Sequence, residues 1–260
     1  MIGHASVGHH GLLAAGGLLA VAAYAVLWSR RPRSGVVQPV MWTVGVGVVL
    51  AATAPSLERA AAGSFTWHMA QHLLLGLVAP PFLVLARPGR LAAELSPALR
   101  SHGRALRGGR WRPVVAAALA VVLMFVVHAG PVYDLALRHQ LAHDVQHVLF
   151  VLAGVLFWVG ALGARARHGP ARVVAALTAA TGLTLLSVWI LLLDTPLSDE
   201  YVDRRGYASA LRDQRMGAGL MWVGMIALTM PLLILAVWRW AAAEQRTAER
   251  HEQLTQTSGV

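Results

Sequence analysis

The sequence predicts an all-α membrane protein: a polytopic helical bundle of about seven transmembrane helices, with the N-terminus outside the cell and the C-terminus inside. Of its 260 residues, 57% are hydrophobic and only 13% are charged, which leaves too few charges to cover a water-soluble globule. Long apolar stretches recur along the chain, and arginines gather in alternate segments between them. We therefore interpret the net charge of +10 as a topology signal and not as a surface for nucleic acid.

Each apolar stretch approaches the roughly 17 to 25 residues that a helix needs to cross the hydrocarbon core. Helices are the expected structure, because the strands of a lipid-facing barrel would alternate in polarity and these stretches do not. The predicted spans, in chain order, are Gly11–Trp28, Pro39–Ala54, Phe65–Leu85, Val114–His128, Leu141–Leu162, Val173–Leu193 and Gly217–Trp238.

The charges around the first span set the predicted orientation. A cleavable secretory signal carries its positive charge before the apolar run, whereas Arg30, Arg31 and Arg33 follow it here. We therefore expect a retained helix with its N-terminus outside, and this choice fixes the side of every later loop. Sixteen of the 22 arginines then fall inside. Residues 1–240 are expected to form the bundle, and residues 241–260 a polar cytoplasmic tail.

Two features interrupt this simple pattern. Pro80 and Pro81 lie within the third span, where they predict a kink and free carbonyl groups. The pattern H-x-x-Q-H occurs twice, over His68–His72 and His143–His147, at the start of two spans that both run inward. A parallel repeat of two-helix units would explain the match, and so would chance.

The paired histidines suggest a metal site. Residues four apart on a helix lie about 6 Å apart along its axis and about 40° apart around it, so each pair presents two imidazoles on one face. Such a pair can chelate one ion, as in H-E-x-x-H sites. The third and fifth spans enter from outside with their pairs first, and the fourth span ends at that depth. We therefore expect five histidines to meet near the extracytoplasmic face: His68, His72, His128, His143 and His147.

The available ligand types favour copper. Cysteine is absent, which excludes thiolate sites and disulfides. Asp213, Met216 and Met221 lie at the outer start of the last span and extend the candidate set. Imidazole with thioether suits copper, and Cu(I) best, whereas histidine with carboxylate leaves zinc as an alternative. Structural roles compete, since methionine is common in apolar helices and a single histidine often serves as a polar contact between helices.

Four segments resemble the motifs of the CtaG-type cytochrome c oxidase assembly proteins, the polytopic bacterial kind that is distinct from the single-span copper chaperone of the same name. These segments are Trp67–Leu75, Ala79–Pro88, His143–His147 and Asp213–Trp222. The resemblance extends, in order, from about Thr66 to Trp238.

One difference from the family pattern concerns Gln71 and Gln146, which stand where an acidic residue is common. The resemblance implies a multi-pass protein of the cell membrane that assembles haem-copper oxidase and has no turnover of its own. It would hold copper near the extracytoplasmic face, receive it from a donor on that side and deliver it to the oxidase catalytic subunit. The implied copper ligands are His68, His72, His128, His143 and His147, with Asp213, Met216 and Met221 nearby.

Three other functions stay open, and one of them is a purely structural partner of the oxidase that binds no metal. Facing histidines on neighbouring helices could ligate haem b in a membrane redox protein. A path of polar or soft ligands across the membrane would make a copper transporter. Two pairs within one turn each fit a small ion better than they fit haem, which normally takes one histidine per helix at each axial position.

Overall fold

A computed structural model describes residues 5–30, 35–89, 91, 111–162 and 169–258. The regular structure in these ranges is helical, as predicted: α1 (Ala5–Ser29), α2 (Val37–Ala52), α3 (Pro55–Gly63), α4 (Phe65–Leu73), a π-helix (Leu74–Val78), α5 (Ala79–Leu85), α6 (Arg112–Val127), α7 (Gly130–Arg138), α8 (Gln140–Leu162), α9 (Gly169–Leu192), α10 (Asp199–Arg205) and α11 (Tyr207–Ser258). Several arginines used above to predict orientation lie outside the described residues, among them Arg31, Arg33, Arg165 and Arg167.

Helix length and composition give four to six membrane spans in the described chain. Four segments are long and apolar enough on their own: Phe65–Leu85, Gln140–Leu162, Gly169–Leu192 and Tyr207–Gln256. Two more arise if α2 with α3, bent by 47°, and α6 with α7, bent by 71°, each count as one span. The prediction of about seven spans is confirmed only to this extent. The last helix also continues through the predicted polar tail as far as Ser258.

The bundle contains an internal repeat at an offset of 75 residues. Helices α2 and α6 both have 16 residues, and α3 and α7 both have nine. Every boundary in the first pair is displaced by 75 residues in the second, as from Val37 to Arg112, and α4 and α8 begin with the same offset. The two H-x-x-Q-H segments therefore occupy equivalent places in two similar units, which favours the repeat over chance.

The third span changes its winding between α4 and α5, where Leu74–Val78 forms a π-helix. Pro80 and Pro81 follow, and neither has an N–H to donate. The carbonyl of Gly76 would accept from residue 80 in an α-helix and from residue 81 in a π-helix, so both of its helical donors are prolines. The predicted interruption is present as a π-helix, and Phe65–Leu85 still forms one candidate span.

The long helices hold the repeated units together. Helix α11 packs along α9 and α4, and α9 packs along α6. Helix α8 packs against α6, the π-helix and α5. This arrangement brings the beginning of α4, the end of α6 and the beginning of α8 to one end of the bundle. We call it the histidine end, because the three helices carry the predicted histidines there.

Candidate metal centre

The five predicted histidines meet at the histidine end. Ring centroids lie 4.3 Å apart for His68 and His72, and 4.1 Å apart for His143 and His147. Across the helices, His68 lies 5.2 Å from His143, while His72 lies 5.8 Å from His128 and 6.0 Å from His147. His72 is thus the central member, and the expected convergence of three helices is present in the structure. We call these five residues the histidine cluster.

Three members of the cluster come close to the geometry of a metal site. One ring nitrogen from each of His68, His72 and His143 lies within 4.8 Å of the other two. Metal–nitrogen bonds to histidine are about 2.0–2.1 Å long, so nitrogens that share an ion lie within about 4 Å of one another. Small side-chain rotations would therefore let the three nitrogens bind one ion.

The ring nitrogens of the cluster are available to a ligand. Five ring nitrogens are buried and have no hydrogen-bond partner among the described residues: Nε2 of His68, His128 and His147, and both nitrogens of His72. Each unsatisfied buried polar atom costs about 1–3 kcal/mol. Five such atoms in one place oppose folding unless a ligand uses them, so their clustering favours a binding role over a purely structural one.

The proton on His128 can be assigned from its partner. Nδ1 lies 2.7 Å from the carbonyl oxygen of Met124. Because a carbonyl only accepts, Nδ1 must carry the proton and donate, and Nε2 keeps its lone pair. A hydrogen bond of this kind orients a histidine for metal binding.

Two tyrosines that sequence analysis did not identify hold His68. The hydroxyl groups of Tyr201 and Tyr133 lie 3.0 Å and 3.3 Å from Nδ1 of His68, and 3.2 Å from each other. Tyr201 donates to the carbonyl of Ala61 at 3.2 Å, so its oxygen can accept from Nδ1–H of His68 and leave Nε2 free. Burial raises the pKa of the Tyr201 phenol above its usual value, which keeps the hydroxyl protonated.

Three short helices, α3, α7 and α10, cover the histidine cluster, and we call them the cap. Arg138 of α7 pairs with Glu200 of α10 at 3.2 Å. Arg204 of α10 donates to the carbonyl of Ala62 in α3 at 2.6 Å. Together with the hydrogen bond from Tyr201 to α3, these contacts make α10 the link between the other two cap helices.

Within each repeated unit, the glutamine of the H-x-x-Q-H segment links two helices by a hydrogen bond. The side-chain amide of Gln71 donates to the carbonyl of Ala52 at 2.8 Å, and that of Gln146 donates to the carbonyl of Val127 at 3.4 Å. Each acceptor is the last residue of the short helix in the same unit. A carboxylate cannot donate to a carbonyl, so the two glutamines perform a task here that an ionised acid could not.

The side chain of Asp213 forms hydrogen bonds with the residues at the beginning of α4. Its carboxylate accepts from the Ser64 hydroxyl at 2.9 Å, the Phe65 backbone N–H at 2.7 Å and the Thr66 hydroxyl at 2.8 Å. Arg205 pairs with it at 2.8 Å. These contacts satisfy both oxygens and give Asp213 the role of an N-terminal cap for the helix that carries His68 and His72.

The two predicted methionines have different positions. Met216 is 67% exposed, so the structure does not bring it into the histidine cluster. Met221 is buried and lines a cavity of about 70 Å³ that His72 and His128 also line. The two side chains lie on different faces of α11, with Met216 facing outward and Met221 facing inward. The sequence alone did not define which face of α11 is buried.

Comparison with known proteins points to one family. The family model described as cytochrome c oxidase caa3 assembly factor matches residues 21–243. Uncharacterized proteins of Mycobacterium bovis and Mycobacterium tuberculosis are each 23% identical over 268 residues, covering 93% of this chain and 40% of the relative. One of Mycobacterium leprae is 23% identical over 242 residues, covering 82% and 36%. The chain thus spans about two fifths of these relatives, and no solved structure matches it.

Proposed function

The chain belongs to the cytochrome c oxidase caa3 assembly factor family, and from this premise we propose that it binds copper in the histidine cluster and delivers it to the catalytic subunit of the oxidase. The observation that carries the proposal is the group formed by His68, His72 and His143, whose ring nitrogens approach within 4.8 Å. The family provides the oxidase as the partner, and the geometry supports a place for an ion.

Copper as Cu(I) fits the ligands better than zinc does. The cluster offers neutral imidazoles, and Asp213, the acid in the candidate set, is committed to the beginning of α4. Zinc sites built from histidine often add a carboxylate, whereas Cu(I) accepts two or three imidazoles with an optional thioether such as Met221. A site with few ligands also releases its ion readily, as a donor to another protein must.

The proposed topology places the cluster where copper can arrive and leave. We propose seven spans in the cell membrane, α1 included, with the N-terminus outside and the C-terminus inside, because arginines favour the cytoplasmic segments. An extracytoplasmic donor and the oxidase subunit could then both reach the histidine end. An alkaline phosphatase inserted between α9 and α10 should be active, and one fused after Val260 should be inactive. The reverse pattern would refute this orientation.

No catalytic turnover is proposed, and the rival haem function has a weaker fit. Three ring nitrogens lie within 4.8 Å of one another, which suits a small ion shared by three imidazoles better than a haem, which takes one histidine on each face. A Soret band in the purified protein would nevertheless establish haem and contradict the copper proposal. Copper uptake into proteoliposomes would instead favour a transporter.

The central test measures copper in variants of the purified chain. His68→Ala combined with His143→Ala removes two of the three approaching imidazoles and should lower the copper-to-protein ratio by at least half. His139→Ala is the matched control, because this exposed histidine lies immediately before α8. Circular dichroism should show equal helix content in all samples. An unchanged ratio in the double variant would refute the site.

The delivery step has its own readout in cells. Cells that carry only the double variant should make oxidase whose catalytic subunit contains less copper, while cells with the His139→Ala chain should make normal oxidase. Normal oxidase in cells whose variant has lost copper would refute delivery and leave metal binding as a separate property.

A further inference from the structure

Half of the methionines in the chain line one cavity. The sequence contains eight methionines, and four of them surround the cavity of about 70 Å³ next to the histidine cluster: Met69, Met124, Met221 and Met225. They come from α4, α6 and α11. Met216 and Met230, which lie on the same helix as two of these four, are exposed instead.

The cavity is connected to the cluster through two histidines. His72 and His128 both line it, and each is more than nine-tenths buried. Nε2 of His128 is buried without a partner among the residues that the structure describes, and its lone pair is free because Nδ1 carries the proton. His72 therefore belongs both to the group of approaching nitrogens and to the wall of the cavity.

The other possible ligand groups in the cavity wall, thioethers and a backbone carbonyl, suit a monovalent cation. Met221 and Met225 are four residues apart, so α11 presents both side chains on one face. Gly76 also lines the cavity, and its carbonyl has only proline nitrogens at its helical donor positions. Within the described part of the chain, no carboxylate is among the residues that surround the cavity. Neutral thioether, imidazole and carbonyl groups favour the soft, singly charged Cu(I) over a divalent ion.

Packing alone gives a poorer account of the four methionines. Methionine is flexible and commonly fills gaps in apolar cores. Here four flexible side chains surround a space of about 70 Å³, several times the roughly 10–15 Å³ that one water molecule needs. A packing role by itself does not require four methionines to surround one such space.

We propose that this methionine-lined cavity is a second Cu(I) site, in which thioether sulfurs and Nε2 of His128 hold the ion. The inference rests on the proposed function, because copper would reach the cavity through the histidine cluster. His72 can bind at either position, so the ion passes between them by exchange of ligands. Copper remains Cu(I) throughout, and no electron is transferred.

The test compares two pairs of methionines on α11. Met221→Leu with Met225→Leu removes two sulfurs from the cavity at nearly constant volume, which cores tolerate well. Met216→Leu with Met230→Leu is the matched control, because both side chains are exposed. The purified chain is loaded with Cu(I), and in a parallel sample with Ag(I), and then studied by elemental analysis and X-ray absorption.

We expect the unaltered chain to retain two Cu(I) per molecule and to show both nitrogen and sulfur neighbours around copper. The Met221 and Met225 variant should retain one Cu(I), lose most of the sulfur signal and bind Ag(I) at least tenfold more weakly. The control should match the unaltered chain. Absence of sulfur around copper in the unaltered chain, or an unchanged sulfur signal in the cavity variant, would overturn the inference.

The histidine variant separates the two proposals. If His68→Ala with His143→Ala removes copper while the cavity variant changes nothing, the second site is refuted and the proposed function stands. If the cavity variant loses copper while the histidine variant retains all of it, the second site is supported and the proposed cluster is refuted.

Discussion

Gly154→Ala tests whether the two halves of the histidine cluster depend on close contact between their helices. A Cβ at position 154 would lie 2.2 Å from the carbonyl oxygen of Gly76 and 2.5 Å from Cγ of Pro80. The first contact is to backbone and the second to a rigid ring, so neither neighbour can rotate away. Helix α8 carries His143 and His147, and the span of Gly76 carries the other pair, so the clash acts on both sides of the cluster.

The required displacement can be worked from these distances. Contacts shorter than 3.0 Å essentially never occur for a real Cβ, so a gap of 2.2 Å must widen by about 0.8 Å. Overpacking of this kind typically costs about 1–3 kcal/mol. Metal–ligand distances tolerate only about ±0.2 Å. We therefore expect Gly154→Ala to lower thermal stability and to weaken Cu(I) binding at least tenfold.

The assay combines thermal unfolding in detergent with competition for Cu(I) by a chromophoric chelator. Gly219→Ala is the control, since its Cβ would meet nothing within 4 Å and Gly219 does not line the cavity. This control should retain copper. Normal copper binding by Gly154→Ala, or equal losses in both variants, would refute the idea that the helix contact sets the geometry of the cluster.

Three further predictions concern the surroundings of the cluster. Tyr201→Phe removes the hydroxyl that holds His68 and should weaken Cu(I) binding roughly 10- to 100-fold in the same competition assay. Tyr207→Phe is the control and should not weaken binding, because the Tyr207 hydroxyl donates to the backbone carbonyl of Asp194. Asp213→Asn should lower unfolding stability by about 1–3 kcal/mol and leave the copper-to-protein ratio unchanged; copper loss at unchanged stability would make Asp213 a ligand. Because burial raises the Tyr201 pKa, the unfolded chain loses this proton near pH 10 while the folded chain keeps it, so stability should fall as pH rises above about 10. This alkaline loss should be smaller in Tyr201→Phe, and an equal loss would contradict the assignment.

The histidine cluster was predictable because its signal is local. The spacing of four residues places His68 with His72 on one face, and the alternation of spans determines which helix ends meet. The same reasoning could not find Tyr133 or Tyr201, which lie 65 and 133 residues from His68 in sequence. Contacts of that range depend on how the cap helices dock, which no spacing pattern encodes.

The range in the number of spans also has a local cause. The predicted second and fourth spans end where α2 and α6 end, and new helices begin nearby with proline in their first turn, as at Pro55. Sequence analysis identified the apolar stretches but did not predict that the following segments would be helical. In α11 the helix continues beyond the apolar run through its polar end as far as Ser258.

The π-helix determines how α4 is rotated about the helix axis relative to α5 in the third span. The extra residue in that turn rotates everything before it by about 100° relative to an uninterrupted α-helix. Removing a single residue from Leu74–Val78 would restore regular winding and swing one imidazole pair away from the other, although no histidine had been changed. The equivalent stretch of the second unit, residues 149–153, is ordinary α-helix. The π-helix thus distinguishes two units whose helix boundaries match up to that point, and it defines the direction in which one histidine pair of the cluster points.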